Sequence, residues 1–339
     1  MGHTLGLDLD EAGVCLRALG LWLDPTRPVS AAFVSHAHVT AGALESGRVI
    51  ASPETLAVAG ALQKRPPGKA TAWDGVLELP IEPAFGGGTA RLSIVPAGHV
   101  LGAAQLLVEH PKGRLVYAGD WSGEAGATHP AGVAVACDEL VVTTTFALPI
   151  FRFEAAATVV AALVDWCQAR LSEGVTPLVL AHSPGPAQEL VRALSARGLP
   201  VSGDEAVCRA CAAYEELGVV LGPVGSHGKD ARPPAERRAI VAAPSTRAAE
   251  LRVRGKSAVA YASGWALLDA AVEQKRADAA FVLPDQADFD GVVTMVRATG
   301  ARRVFATRGD ARPFAHLLRG VGLDARALDL PAIDDRATS

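Results

Sequence analysis

The stretch that decides the fold is Phe33-Val34-Ser35-His36-Ala37-His38-Val39-Thr40-Ala41. The apolar, β-prone residues 31–34 predict a strand, and small and polar residues follow it. Side chains two positions apart point to the same side of an extended backbone, so His36 and His38 present two imidazoles to one ion. The pair alone is a weak signal, because two exposed or two core histidines show the same pattern. Other segments must decide between these alternatives.

Two later segments also place metal-ligand side chains directly after apolar strands. Residues 92–95 lead into Pro96-Ala97-Gly98-His99, and residues 115–117 lead into Ala118-Gly119-Asp120. Imidazole nitrogens and a carboxylate oxygen are ligands that zinc accepts. The sequence therefore predicts one zinc site, with the ligands His36, His38, His99 and Asp120.

Composition points to a folded protein of one large or two medium domains. The chain has 339 residues, of which 50% are hydrophobic and 20% are charged. A net charge of -4 argues against a generally basic nucleic-acid coat. Residues 226–256 are locally basic, and there a solvated face is favoured over a phosphate-facing patch. No apolar run reaches the length of a membrane span, and five scattered cysteines suit reduced thiols, so we expect a cytoplasmic protein without a membrane partner.

The pattern of apolar runs changes along the chain. Short runs predict hairpins before residue 24 and further strands up to residue 117, with one helix that starts at Ser52-Pro53. From residue 154 onward, helical and buried-strand patterns alternate, which is typical of parallel α/β structure. The fold class predicted from this pattern is α/β.

Several local motifs occur in a telling order: HxH at 36–38, PAGHVLGAAQ at 96–105, YAGDWS at 117–122, TTTFALPIFRF at 143–153, ASGW at 262–265 and LPDQADFDG at 283–291. This series resembles the metallo-β-lactamase fold with a β-CASP insertion, the group that includes ribonuclease J and the pre-mRNA 3′-end cleavage nucleases. Within the group the chain is most similar to bacterial ligase-associated DNA exonucleases. A single motif would be weak support, but several unrelated motifs in the right order are specific.

The resemblance implies a fold, a reaction and partners. It implies an αββα sandwich formed by residues 1–147 and 257–339, with a β-CASP domain inserted at 148–256. Members of the family hold two zinc ions that share an aspartate and hydrolyse phosphodiesters. The implied partners are nucleic acid, with DNA favoured over RNA, and DNA ligase or other repair proteins.

The chain departs from the family pattern at the second zinc. The family motif His-x-His-x-Asp-His ends here in Thr40 and Ala41, and Arg308 stands where the family has a third ligand, a histidine. A guanidinium is permanently charged and cannot bind zinc. We expect Arg308 to occupy the vacated space and to pair with Asp120 or with a bound phosphate. The alternative is a solvent-exposed arginine on a shifted loop.

Further departures affect the chemistry and the substrate contacts. Gln286 replaces the imidazole thought to protonate the leaving group, and Thr143 replaces an acidic residue, so no catalytic residue is assigned. The helix start Gly185-Pro186-Ala187-Gln188 lacks the family's lysine. The candidate substrate-binding residues are Arg308, Ser183 and Gln188.

Three functions remain open. The favoured one is a catalytically silent or much weakened family member that still binds nucleic acid or a repair partner. The second is an active zinc-dependent DNA exonuclease with a single ion. The third is a metal-free structural subunit, so the expected cofactor is one zinc ion at most.

Overall fold

The structure is a computed structural model that describes residues 5–64, 70–73, 75–227, 237–246, 253 and 255–328. It contains two compact units. Of the described residues, the first comprises those within 5–125, His129–Arg152 and 286–328, and the second comprises Gly126–Thr128 and those within Phe153–Asp285. Most of the basic segment 226–256 lies outside the described residues. Within the described part, no helix combines the length and the apolar character needed to cross a membrane.

The first unit begins with a six-stranded sheet, sheet A. Its first three strands form two antiparallel pairs, which confirms the hairpins predicted before residue 24. The later pairs in this sheet are parallel. In spatial and chain order the strands are β1 (Leu7–Asp10), β2 (Gly13–Leu16), β3 (Leu21–Leu23), β4 (Ala32–Phe33), β5 (Val49–Ala51) and β6 (Ala70–Ala72).

The second sheet of this unit, sheet B, has seven strands. The strands are β7 (Val76–Pro80), β8 (Thr89–Pro96), β9 (Ala104–His110), β10 (Gly113–Tyr117), β11 (Glu139–Thr143), β18 (Arg303–Thr307) and β19 (Asp324–Leu328). Their spatial order is β19-β18-β11-β10-β9-β8-β7, where β7 to β10 pair antiparallel and β10, β11, β18 and β19 pair parallel.

One hydrophobic cluster joins sheets A and B. Phe33 of β4, Tyr117 of β10 and Phe305 of β18 are among its fully buried members. A second cluster joins sheet B to helices α7 (Phe289–Thr299) and α8 (Ala311–Gly320). The two sheets are therefore layered, with helices on the other face of sheet B. The polar residues described below come directly after the C-terminal ends of β4, β8 and β10.

Short helices follow the strands of sheet A. Helix α1 (Ala41–Leu44) comes after β4, and α2 (Pro53–Gln63) comes after β5. The Ser52 hydroxyl accepts a hydrogen bond from the Thr55 backbone N–H at 3.0 Å, as expected of an N-cap residue. The helix predicted to start at Ser52-Pro53 is confirmed.

The second unit is built on a six-stranded sheet, sheet C, in which every pair is parallel. Its spatial order is β14-β13-β15-β12-β16-β17, for the strands β12 (Thr176–Ala181), β13 (Val201–Gly203), β14 (Val224–Ser226), β15 (Ala239–Ala242), β16 (Ser257–Ala262) and β17 (Ala279–Phe281). Its helices are α3 (Ala156–Ser172), α4 (Pro186–Ala196), α5 (Glu205–Glu216) and α6 (Asp269–Lys275). The chain is thus of the mixed α/β class, as predicted.

The compact units differ from the predicted domains at both boundaries. The first boundary lies after Arg152 instead of residue 147, and the second lies after Asp285 instead of residue 256. The reason for the second difference is strand pairing: β16 pairs with β12 along its whole length, and β17 pairs with β16. Residues 257–285 therefore belong to the second unit.

Candidate metal centre

Three histidines converge in the first unit. His36 and His38 follow β4, and His99 lies in the loop between β8 and β9. One ring nitrogen from each lies within 4.8 Å of those from the other two. The His99 loop needs a glycine, because Gly98 has φ +75° and a Cβ there would overlap the carbonyl oxygen of Ser122. The structure brings together all three histidines that the sequence placed at strand ends.

Asp120 joins this histidine group. Its Oδ2 lies 3.5 Å from His36 Nε2 and 3.9 Å from His99 Nε2, and the residue is buried. The Thr143 hydroxyl donates a hydrogen bond to the Gly119 carbonyl at 2.9 Å, which anchors the turn that carries Asp120. Thr143 therefore has a structural role beside the predicted ligand Asp120.

Ser35 connects His36 to a buried carboxylate. Its hydroxyl donates to Asp24 Oδ2 at 2.5 Å and lies 2.7 Å from His36 Nδ1. A hydroxyl has one hydrogen, and since Ser35 gives it to the carboxylate, its oxygen accepts the Nδ1–H of His36. The lone pair of His36 then sits on Nε2, the atom that faces Asp120, which is the orientation a metal ligand needs.

Asp24 was not among the predicted site residues. Besides the Ser35 hydroxyl, its carboxylate accepts the Ser35 backbone N–H at 2.7 Å and the Tyr117 hydroxyl at 2.8 Å. Burial, and then the charge of Asp24, raise the pKa of Tyr117 well above its ordinary value, so the phenol stays a donor. The available sequence signal was a carboxylate directly after the apolar run 21–23.

Electrostatics favour the protonation states that a metal requires. Burial lowers the pKa of His36 below its ordinary 6.5, although Asp120 opposes the shift, so the imidazole is neutral at pH 7. Burial alone would raise the pKa of Asp120, but His36, His99, Arg308 and His38 together lower it to about 2. Neutral imidazole beside an ionised carboxylate is the ligand state for a divalent cation.

Backbone strain is concentrated around the histidine group. Five described residues other than glycine have a left-handed φ, and two of these, Lys64 and Arg276, end helices, where this conformation is common. The other three are Asp24 at 45°, His99 at 59° and Arg308 at 56°. Strained residues of this kind cluster at functional sites, so the observation supports a function at this end of the unit.

Arg308 follows β18 and is half-buried. Its Nη2 donates a hydrogen bond to the Asp24 carbonyl oxygen at 3.0 Å, and the Thr144 hydroxyl donates to the carbonyl of Arg308 itself. Its positive charge contributes to lowering the pKa of both Asp120 and His36. The guanidinium therefore acts electrostatically on the histidine group. Its pairing with Asp120 or with a phosphate stays a prediction.

Gln286 contacts the Asp120 carboxylate and is the residue at which the chain re-enters the first unit. Its Nε2 donates a hydrogen bond to Asp120 Oδ2 at 3.0 Å. An amide donates a hydrogen bond but does not release a proton near neutral pH. The Gln286 side chain is thus a non-titrating partner of Asp120.

Thr40 and Ala41 have local structural roles. Thr40 is the N-cap of α1, where its hydroxyl oxygen accepts from the Ala43 backbone N–H at 3.4 Å and donates to the Thr26 carbonyl at 3.3 Å. Ala41 is the first residue of that helix and is exposed. Neither side chain offers a metal ligand of the usual type.

Two predicted substrate-binding residues, Ser183 and Gln188, belong to the second unit. Gln188 is fully buried, and its amide bonds within its own turn, accepting from the Gly185 backbone N–H at 2.9 Å and donating to Ser183 Oγ at 3.2 Å. Ser183 is half-buried at the start of this turn. Gln188 therefore supports the turn before α4, and Ser183 is the more accessible of the two.

The residues present fit a divalent metal. Three imidazoles converge, and the Asp120 carboxylate lies beside two of them. His36 is oriented by its Ser35 partner, and His38 Nδ1 lies 3.1 Å from His99 Nε2. In all, the fold and the site define a mixed α/β protein with a three-histidine group of metal-binding type, in which His36 and His99 are buried and His38 is half-buried.

Comparison with known proteins adds one curated relative. No protein-family model matches the chain. A protein of Opitutus terrae named as a probable DNA ligase is 29% identical over 326 residues, which are 93% of this chain and 30% of that protein. The chain thus spans about 30% of the length of the curated relative that it matches.

Among solved structures, a protein of unknown function from Enterococcus faecalis V583 is similar with a TM-score of 0.52. The match covers 81% of this chain and 74% of that chain, at 13% sequence identity. At this identity the likeness concerns the fold alone.

Proposed function

We propose that this protein binds DNA through a single-metal site of the metallo-β-lactamase and β-CASP type, and that its phosphodiesterase activity is absent or much weakened. In this proposal the first unit is the metallo-β-lactamase sandwich and the second is the β-CASP domain. The observation that supports it is the hydrogen bond from Gln286 to Asp120, because it gives the predicted metal ligand a partner that does not release a proton near neutral pH.

The link to DNA rests on the relative from Opitutus terrae. That protein is named as a probable DNA ligase, and the part that matches this chain is less than a third of it. We therefore expect a chain that resembles one segment of such a protein to bind DNA in the same process as a ligase. The ligase reaction itself is not transferred to this chain.

The metal would be held by His36, His38, His99 and Asp120, and zinc is the ion that suits this donor set. A bound zinc ion would supply charge that polarises a phosphate oxygen or a water molecule. The chain's own residues would hold these ligands in place: Ser35 and Asp24 orient the His36 ring, and Gln286 orients the Asp120 carboxylate.

The reaction would be slow for two reasons. Gln286 cannot hand a proton to the leaving oxygen, and a positioned acid is worth about two to four powers of ten in rate. Arg308 places a fixed positive charge near the histidine group, and a second cation would be repelled from it. Binding of DNA needs neither the acid nor the second ion.

A second candidate function is an active single-zinc exonuclease. The arrangement of Ser35 and His36 favours it, because the site has kept an imidazole oriented for a ligand. The metal-free structural subunit is the remaining alternative, in which His38 and His99 simply hydrogen-bond to each other at 3.1 Å.

Metal content and DNA assays on the full chain separate these functions. We expect about one zinc per chain after purification without chelators, salt-sensitive binding of a labelled DNA strand, and little or no digestion. The His99→Ala variant should lose the zinc. Digestion by the native protein that vanishes in His99→Ala would replace the proposal with the exonuclease, and a native protein without zinc would support the structural subunit.

A further inference from the structure

The net charge of the side chains around the histidine group would change sign if a divalent metal bound there. Contacts connect this group to two carboxylates, Asp24 and Asp120, and to the guanidinium of Arg308. With neutral imidazoles, these three side chains carry one excess negative charge. A divalent ion would turn this into one excess positive charge, and a buried excess is only weakly screened by salt.

We propose that Arg308 and the bound ion together form a phosphate-binding site in the first unit. This inference rests on the proposed metal site and adds its ligand and the residue that selects the ligand. A guanidinium presents planar N–H donors that match phosphate oxygens in pairs, so arginine is the side chain suited to this anion.

Hydrogen bonds hold both the side chain and the backbone of Arg308 in place. Nη2 donates a hydrogen bond to the Asp24 carbonyl oxygen at 3.0 Å, and this bond orients the side chain toward the residue that also holds Ser35. The backbone carbonyl of Arg308 is held by the Thr144 hydroxyl, and Gly309 follows in a position where a Cβ would meet the Thr144 carbonyl oxygen at 2.6 Å. The turn is therefore fixed at both its side chain and its backbone.

The same placement couples two ligands. Without phosphate, Arg308 repels the metal; with phosphate, both cations share one anion. Coupling between two ligands is reciprocal, so zinc should strengthen phosphate binding and phosphate should strengthen zinc binding by the same factor. An arginine with a purely structural role would not produce opposite effects on the two ligands.

The test compares the full-length wild type with Arg308→Gln. Zinc affinity is measured by competition with a chelator, and inorganic phosphate binding by equilibrium dialysis of zinc-loaded and metal-free protein. We expect Arg308→Gln to bind zinc at least as tightly as wild type but phosphate at least tenfold more weakly. Metal-free wild type should also bind phosphate at least tenfold more weakly than the zinc-loaded form.

Arg302→Gln is the matched control. Arg302 precedes β18 as Arg308 follows it, so the variant removes the same charge at the opposite end of one strand; its side chain is 84% exposed, with Asp138 at 3.7 Å. It should leave both affinities unchanged. Arg308→Lys keeps the charge without the planar donors and should retain part of the phosphate binding.

The outcomes distinguish this inference from the proposed function. Zinc binding with equal phosphate affinity in wild type and Arg308→Gln would overturn the phosphate site and leave the metal site standing. Loss of zinc in Arg308→Gln would make the arginine a support of the metal ligands and would also overturn it. A wild type that binds no zinc would remove both. Competition by 5′-phosphorylated, 3′-phosphorylated and unphosphorylated oligonucleotides then shows whether the phosphate belongs to a strand end.

Discussion

The substitution Asp24→Asn reverses the hydrogen bonds that orient His36. In the native chain the Ser35 hydroxyl donates to Asp24 Oδ2 and accepts from His36 Nδ1. An asparagine keeps its oxygen toward the Ser35 backbone N–H and turns its NH₂ toward the Ser35 hydroxyl. The hydroxyl hydrogen must then point at His36 Nδ1, so the ring proton moves to Nε2. That nitrogen loses the lone pair with which it would hold a metal.

Two free-energy changes follow from this reversal. Removing the partner that orients a metal-binding histidine costs about 10–100-fold in metal affinity, which is about 1.4–2.7 kcal/mol. In addition, the buried Tyr117 hydroxyl now faces an NH₂ group in place of the carboxylate oxygen 2.8 Å away. An unsatisfied buried donor costs about 1–3 kcal/mol of unfolding free energy. The variant should therefore be less stable and bind zinc more weakly.

Asp204→Asn is the control for the loss of stability. The Asp204 carboxylate also accepts three hydrogen bonds, from the backbone N–H groups of Val207 and Ala243 and from the Thr246 hydroxyl, but it lies in the second unit. It should lose a similar unfolding free energy in urea and keep its zinc affinity. Nitrogen-15 spectra of the His36 ring in the metal-free protein report the tautomer directly. Native zinc affinity in Asp24→Asn, or a proton still on Nδ1, would refute the reasoning.

Three further predictions concern catalysis, pH and stability. Gln286→His puts a titrating imidazole beside Asp120 and should raise hydrolysis of end-labelled DNA by about 10²-fold or more; an unchanged rate would mean that the missing acid is not what limits the reaction. Burial lowers the pKa of His36 below 6.5. Burial would raise the pKa of Asp120, but the neighbouring positive charges outweigh it and lower this pKa from 3.8 to about 2. The unfolded chain therefore binds more protons in acid, so the unfolding free energy of the metal-free protein should fall as the pH drops below 6.5 and again below about 4, as urea titrations would show. A flat profile between pH 7 and 5 would contradict a neutral, buried His36. Thr40→Ala removes the cap of α1 and should cost about 1 kcal/mol of unfolding free energy without changing the metal content of the purified protein.

Much of the fold and the histidine group could be predicted, because both depend on local patterns. Apolar runs give the strands, and a histidine directly after such a run lies at a sheet end whatever the pairing, which is why His36, His38 and His99 could be named in advance. The cap at Ser52 is equally local, since it involves residues three apart.

What the sequence could not supply depends on distant pairing. Asp24 contacts Ser35 across 11 residues and Tyr117 across 93, and no spacing rule connects these positions. The compact units differ from the boundary predicted before residue 257 for a related reason. The strand Ser257–Ala262 is apolar on both faces near its end, and such a strand suits the interior of either sheet, so only its pairing with β12 assigns it to the second unit.

The left-handed backbones of His99 and Arg308 bear on how this end of the protein is maintained. A side chain in that region costs roughly 1–2 kcal/mol relative to glycine, so stability alone would favour glycine at both positions. Yet the chain carries a histidine and an arginine there, at a combined cost of about 2–4 kcal/mol of fold stability. In a site without a function, substitution by glycine would relieve this backbone strain; here His99 and Arg308 both retain it.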